Sequence, residues 1–198
     1  MKFQWIILAV ALIAGLATRY LVDSHDVSVA EAQQSSGQLE SGQETVDLFN
    51  TNDNRLRVVY FGFTHCPDVC PTSLAILGAA LKAISQDELN KVWPVFITLD
   101  PERDTPEKSA QYAQYFHKDI TGMTGTMEQT QLLAKKYGVL YMKTKQEDSA
   151  LEYSVDHSSY FYLLKPDGTL LEKVPHTLNP NILVDAIDRN ERLLNEKA

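Results

Sequence analysis

Cysteine is nearly absent from this chain of 198 residues, which holds only two, Cys66 and Cys70. None lies near the amino terminus, so a lipid-anchored cysteine there is excluded. Basic residues are outnumbered: 18 Lys and Arg stand against 26 Asp and Glu, for a net charge of −8. With no basic patch in the sequence, nucleic acid is not an expected partner, and the balance better suits a cationic protein. There is no internal repeat. What remains is an ordinary globular mixture, 44% hydrophobic and 22% charged, long enough for one domain of about 150 residues with extensions.

The one long apolar run stands at the start, MKFQWIILAVALIAGLATRYLVD, with Lys2 before it. Phe3 to Ala17 is short for a spanning helix, but Tyr20–Val22 extend it to about twenty residues despite Arg19. Two readings stay open for residues 1–22: a transmembrane anchor with Lys2 inside, or a signal peptide cleaved after Gly15-x-Ala17 or Ala30-x-Ala32. Either one exports the rest of the chain to an oxidising compartment, where a lone cysteine pair can close into a disulfide. Residues 23–43 are polar and read as a flexible tether. Residues 44–198 read as the domain.

Within the domain, Arg57–Phe63 and Lys91–Leu99 read as buried strands. Pro71 is expected to open a helix running to about Ser85, with Leu74, Leu77, Leu81 and Ile84 on one face. Thr105 with Pro106 reads as a helix start. Thr126 with Gln129 resembles a capping box, and that helix is expected to stop at Gly138. A short strand at Val139–Lys143 and a hairpin around "KPDG" precede a last helix opening at Asn179-Pro180. The order predicts an α/β fold, a mixed sheet with helices on both faces. A parallel βαβ unit closed by an antiparallel hairpin is the thioredoxin-like architecture.

The cysteines sit in "THCPDVCPTS", directly after the first strand. Pro71 places the regular helix after Cys70, so Cys66 and Cys70 are expected in a tight turn against its amino terminus. Helix-end N–H groups favour anions, so both thiols are expected to be poised as thiolates, able to exchange disulfides or bind soft metals. If the strand after His157 runs antiparallel to 57–63, the fold brings this imidazole to the same edge. Two thiolates and one imidazole suit copper by softness, whereas zinc usually wants a fourth ligand.

"YFGFTHCPDVCPTSL", "ITLDPERDTPEK", "GMTGTMEQTQLLAKKYGV" and "YSVDHSSYFYLLKPDGTL" resemble, in this order, the SCO/SenC family of thioredoxin-like copper-binding proteins. The resemblance implies copper ligation by Cys66, Cys70 and His157, with one copper per chain as Cu(I), Cu(II) or both. It implies as partner the binuclear copper centre of cytochrome c oxidase subunit II, or another copper-site apoprotein. The protein would deliver metal there as a metallochaperone or, as a thiol–disulfide oxidoreductase fed by a thiol reductant, reduce the target's cysteines. The family carries a longer strand and hairpin before the YFGFT strand. Val46–Arg55 lacks that pattern, so a truncated amino-terminal hairpin is expected.

Other residues read more plainly. His65 adjoins Cys66 but is expected to point away, and Asp68 and Asp156 flank the site as partner contacts or solvated carboxylates. Asp100, Arg103 and Asp104 are expected to brace their own loop. His25, His117 and His176 read as exposed, and Met123 and Met127 as packed. The spacer of three residues between the cysteines, and "VDHSS" where this fold's disulfide oxidoreductases carry a cis-proline, favour metal handling over dedicated disulfide exchange.

Overall fold

The computed structural model describes residues 37–146 and 152–195, with Gly15, Thr18 and Arg19 as isolated helical positions. The chain divides into units of residues 1–35 and 36–198. Nearly all of the segment read as an anchor or signal peptide lies outside the described residues. Among the described residues, no helix is long and apolar enough to cross a membrane.

In chain order the second unit begins with a hairpin, β1 (Gln38–Ser41) and β2 (Glu44–Asp47), then β3 (Leu56–Gly62), α1 (Val69–Ala83) and a single turn α2 (Gln86–Leu89). There follow β4 (Val92–Thr98), α3 (Pro106–Phe116), β5 (Thr121–Met123), α4 (Met127–Tyr137), β6 (Tyr141–Lys145) and β7 (Tyr153–His157). A second hairpin, β8 (Tyr160–Leu164) and β9 (Leu170–Pro175), leads into α5 (Pro180–Asn195).

Five strands make the central sheet, in the order β5-β4-β3-β8-β9. β3–β4 and β4–β5 are parallel, and β8 runs antiparallel to β3 with Tyr60 opposite Phe161. Every residue of β3 and β4 is buried, as expected of strands covered on both faces, which read as continuous apolar runs rather than alternating ones. Tyr60 packs on Phe161, and Phe96 packs on Tyr112 of α3, on one face. Phe61 and Tyr162 meet Tyr137 of α4 on the other. α1 and α5 pack against each other, and α5 also lies on β3 and β9. The mixed sheet with helices on both faces is therefore present.

The caps form where the sequence placed them. Thr105 accepts the Lys108 N–H behind Pro106, Thr126 and Gln129 make a reciprocal capping box, and Gly138 ends α4 at φ 64°. The helix after the cysteines starts earlier than expected, at Val69 rather than Pro71. Pro71 is its third residue, within the first turn, where a backbone N–H has no intrahelical acceptor, so its missing donor costs nothing.

The hairpin β1–β2 is a second correction. It lies partly in the stretch read as tether, and it is not truncated away. Leu39 is fully buried, and Glu40 exchanges two backbone hydrogen bonds with Thr124, each 2.8 Å. Its two-residue turn begins at Gly42, which holds φ 60°, a left-handed conformation glycine adopts freely. The loop after it is pinned by Arg57, fully buried. The Arg57 guanidinium donates to the carbonyls of Leu48, Asn50 and Asp53 and lies over Trp93.

Candidate metal centre

β3 ends at Gly62, and Phe63–Asp68 carry the chain over the carboxyl edge of the sheet into α1. Cys70 thereby occupies the second position of the helix. Its free N–H, one of the orphan donors of a helix start, points at the Cys66 sulfur at 3.4 Å. Cys70 is fully buried and Cys66 half-buried; both are free thiols. No side chain at position 62 would fit beneath them: a Cβ there would stand 2.9 Å from the Cys70 sulfur and 3.0 Å from the Tyr60 ring.

His157 is the last residue of β7 and pairs with Tyr141 of β6. Its Nε2 lies 3.3 Å from the Cys70 sulfur, and its Nδ1 faces the Ser158 carbonyl at 3.2 Å. A carbonyl only accepts, so Nδ1 carries a proton on that side of the ring, and Nε2 is the nitrogen turned toward the thiols. The ring is held edge-on to Tyr60 and Phe63, with centroids 6.2 and 6.1 Å away. An open cavity of about 270 Å³ lies over the group, lined by Phe63, Cys66, Asp68, Val155 and His157.

The two thiols are not equivalent. A hydrogen bond from the Cys70 thiol, then one from His157, then the backbone N–H groups of Cys70 and Asp68 bring Cys66 down to about 4, against the opposing effect of burial. Cys70 moves the other way, raised by its bond to the Cys66 thiolate, by burial and by that same negative charge. One thiolate and one thiol share a proton, so the expectation of two thiolates is corrected. The helix start stabilises charge on Cys66 alone, because only Cys66 lies beyond the N–H groups.

Among the described residues, no three His, Cys, Asp or Glu side chains already surround a common metal position. Cys70 and His157 instead stand at hydrogen-bond spacing. The donor set still fits a soft metal: two sulfurs and one oriented imidazole nitrogen at one sheet edge, with the shared proton as the group a metal would displace.

Around the thiols, His65 is turned away by Asp104, whose carboxylate stands 3.3 Å from its Nδ1. Asp68 is the N-cap of α1 but makes no side-chain cap bond. Asp156 accepts from Thr144 at 2.7 Å across the β6–β7 ribbon. Met123 is buried. His176 and His117 are not exposed as expected; both are half-buried, and His176 Nδ1 lies 2.8 Å from buried Ser73, one turn after Cys70 on α1. No sequence signal marked that pair, since only the fold brings the end of β9 to α1. His25 lies outside the described residues.

Asp100, Arg103 and Asp104 do more than brace their own loop. Asp104, fully buried, accepts from the Thr64 N–H at 2.8 Å and the Thr64 hydroxyl at 2.5 Å. Asp100, also fully buried, accepts from Arg103 Nε at 2.5 Å and from the Tyr153 hydroxyl at 2.8 Å.

The family model described as SCO1/SenC matches residues 41–191. A curated relative from Arabidopsis thaliana, protein SCO1 homolog 1, mitochondrial, is 41% identical over 135 residues, covering 68% of this chain and 40% of its own length. The SCO2-like protein of Rickettsia felis is 30% identical over 197 residues, covering 93% of this chain and 96% of that protein. Among solved structures, the crystal structure of Arabidopsis thaliana ScoI with copper bound has a TM-score of 0.69 at 37% identity, covering 79% of this chain and 98% of that one.

Proposed function

The chain belongs to the SCO1/SenC family, and on that premise we propose that it is a copper metallochaperone that holds one copper through Cys66, Cys70 and His157. The observation that carries this reading is the imidazole Nε2, aimed at the Cys70 sulfur at 3.3 Å with its other nitrogen tied to a backbone carbonyl. A hydrogen bond on the far nitrogen is the usual way a protein fixes the tautomer of a ligating histidine. Copper, as Cu(I) or Cu(II), is the cargo, and the soft donor pair suits it. Cys66 supplies a thiolate at neutral pH, Cys70 gives up its proton on loading, and His157 adds the nitrogen. The recipient is the binuclear copper centre of cytochrome c oxidase subunit II or another copper-site apoprotein. Residues 1–22 hold the domain to a membrane facing an oxidising space, such as the bacterial periplasm.

A second reading is favoured by the inequality of the thiols. In a thiol–disulfide oxidoreductase, the half-exposed Cys66 thiolate would attack a target disulfide, forming a mixed disulfide and releasing one target thiolate. Cys70, once deprotonated, would attack Cys66, release the second target thiolate and leave a Cys66–Cys70 disulfide. A thiol reductant would then restore the pair.

His157→Ala separates the two. Thiol exchange should survive within a few-fold, because both sulfurs remain. Copper should lose more than the 10–100-fold typical of a change behind the ligands, Cu(II) more than Cu(I), and oxidase assembly in cells should fail. Intact copper affinity and oxidase activity in His157→Ala, with activity abolished by Cys66→Ser, would replace the chaperone with the oxidoreductase.

A further inference from the structure

The ribbon that carries His157 does not belong to the central sheet. Among the described residues, β6 and β7 pair only with each other, and a two-stranded ribbon by itself is marginal in water. The imidazole is therefore only as well placed as the contacts that hold the ribbon. At the far end of β7 from His157 those contacts converge on one short loop. Arg103 Nη1 donates to the Tyr153 carbonyl at 2.9 Å, and the guanidinium lies 3.7 Å over the Tyr153 ring. The Tyr153 hydroxyl and Arg103 Nε both donate to the Asp100 carboxylate. One turn of chain later, Asp104 holds Thr64, two residues before Cys66. The halves are joined by Thr98, whose hydroxyl donates to Asp104 at 2.7 Å and accepts the Asp100 N–H at 3.0 Å.

We propose that residues 98–104 form a two-ended clamp that sets the distance between the thiol loop and the histidine ribbon, with Arg103 and Tyr153 as positioning residues for His157. The proposal rests on the copper reading above for its consequence, which is control of how fast copper leaves. Its geometry stands on the apo protein. The two carboxylates of the clamp, Asp100 and Asp104, are fully buried and each of their oxygens accepts a hydrogen bond, while Arg103 Nη2 is left without a partner among the described residues. Buried networks so bonded have few alternative arrangements. A looser ribbon would let the imidazole withdraw and leave copper on two sulfurs.

The test uses the reduced full-length chain and two variants. Tyr153→Phe keeps the ring under Arg103 and removes only the hydroxyl bond to Asp100. Arg103→Lys keeps the charge and removes the fork. Two readouts are taken beside the melting temperature: the imidazole nitrogen resonances of apo His157, and the rate at which a Cu(I) chelator strips the loaded protein. The expected result is His157 resonances moved toward those of a free imidazole, and copper released 10–100-fold faster. Unchanged resonances and unchanged release, with only a lower melting temperature, would overturn the clamp and leave the chaperone reading standing. Moved resonances with unchanged release would also overturn it. A wild-type chain that takes up no copper defeats the chaperone reading, while the apo resonances of the variants still decide the clamp. If Arg103→Lys does not fold, Tyr153→Phe alone decides between these outcomes, since it buries no new charge.

Discussion

Cys66 should react with a disulfide probe at a rate that hardly changes between pH 5.5 and 8.5. With its thiol at about 4, Cys66 is essentially all thiolate across that window. A free cysteine, near 8.5, is roughly 0.3% ionised at pH 6, so ionisation favours Cys66 by about 300-fold there. Nucleophilicity works against it. A thiolate loses reactivity as its basicity falls, with a Brønsted coefficient of about 0.4–0.5, which over 4.5 units is roughly 100-fold. The two effects nearly cancel, leaving Cys66 only about threefold faster than free cysteine at pH 6 and slower than it above about pH 6.5. The signature is therefore the flat profile, not a high rate. The assay is a stopped-flow reaction of the reduced protein with an aromatic disulfide, with the modified peptide mapped to exclude buried Cys70. Cys70→Ala removes the largest stabilising hydrogen bond on the thiolate, so the Cys66 value rises and a slope should return at low pH. A wild-type rate climbing about tenfold per pH unit up to 8 would refute the unequal pair, because that is the behaviour of an unperturbed thiol.

Copper loading between pH 6 and 8 should release about one proton from the cysteine pair rather than two, since Cys66 is already ionised and Cys70 is not; a pH indicator in weakly buffered solution measures it, and release of two would contradict the assignment. Gly62→Ala should displace the Cys70 sulfur, which the new Cβ would meet at 2.9 Å, and so weaken copper retention; unchanged retention would show that the sulfur has room to move. Thr126→Ala should cost about 1 kcal/mol of stability by removing the cap of α4, read from urea unfolding, with copper affinity untouched.

The parts of this fold legible in the sequence are those whose signal is local. Thr105-Pro106, the Thr126–Gln129 box and Gly138 each act within one helical turn, and each stands where expected. The β3 and β4 runs are legible because burial on both faces leaves them apolar apart from Arg57 near one end and Thr98 at the other. β1 and β7 carry no strand signal in the sequence because they bury one side chain each, Leu39 and Val155, too few to make a pattern. The Gly42 turn was the one available sign of the first hairpin. His157 was reached through sheet topology, and the resemblance named its role. The contacts of Asp100 with Tyr153 and of Ser73 with His176 were out of reach, because each joins segments far apart in sequence by a single polar atom.

The separation of β6 and β7 from the central ladder also bears on how such a domain can change over generations. Register in a sheet is unforgiving: a slip of one residue turns every side chain to the wrong face. β8 takes its register from β3, and nothing in that pairing passes through the ribbon before it. Insertions or deletions between β6 and β7 can therefore accumulate without disturbing the hydrophobic core, at a closure cost of only about 0.6 kcal/mol per doubling of loop length. Substitutions on the outer face of the ribbon, where Leu140 and Met142 are exposed, are similarly free of the core. A lineage can thus remodel the surface beside its metal while the scaffold that holds the two sulfurs stays as it was.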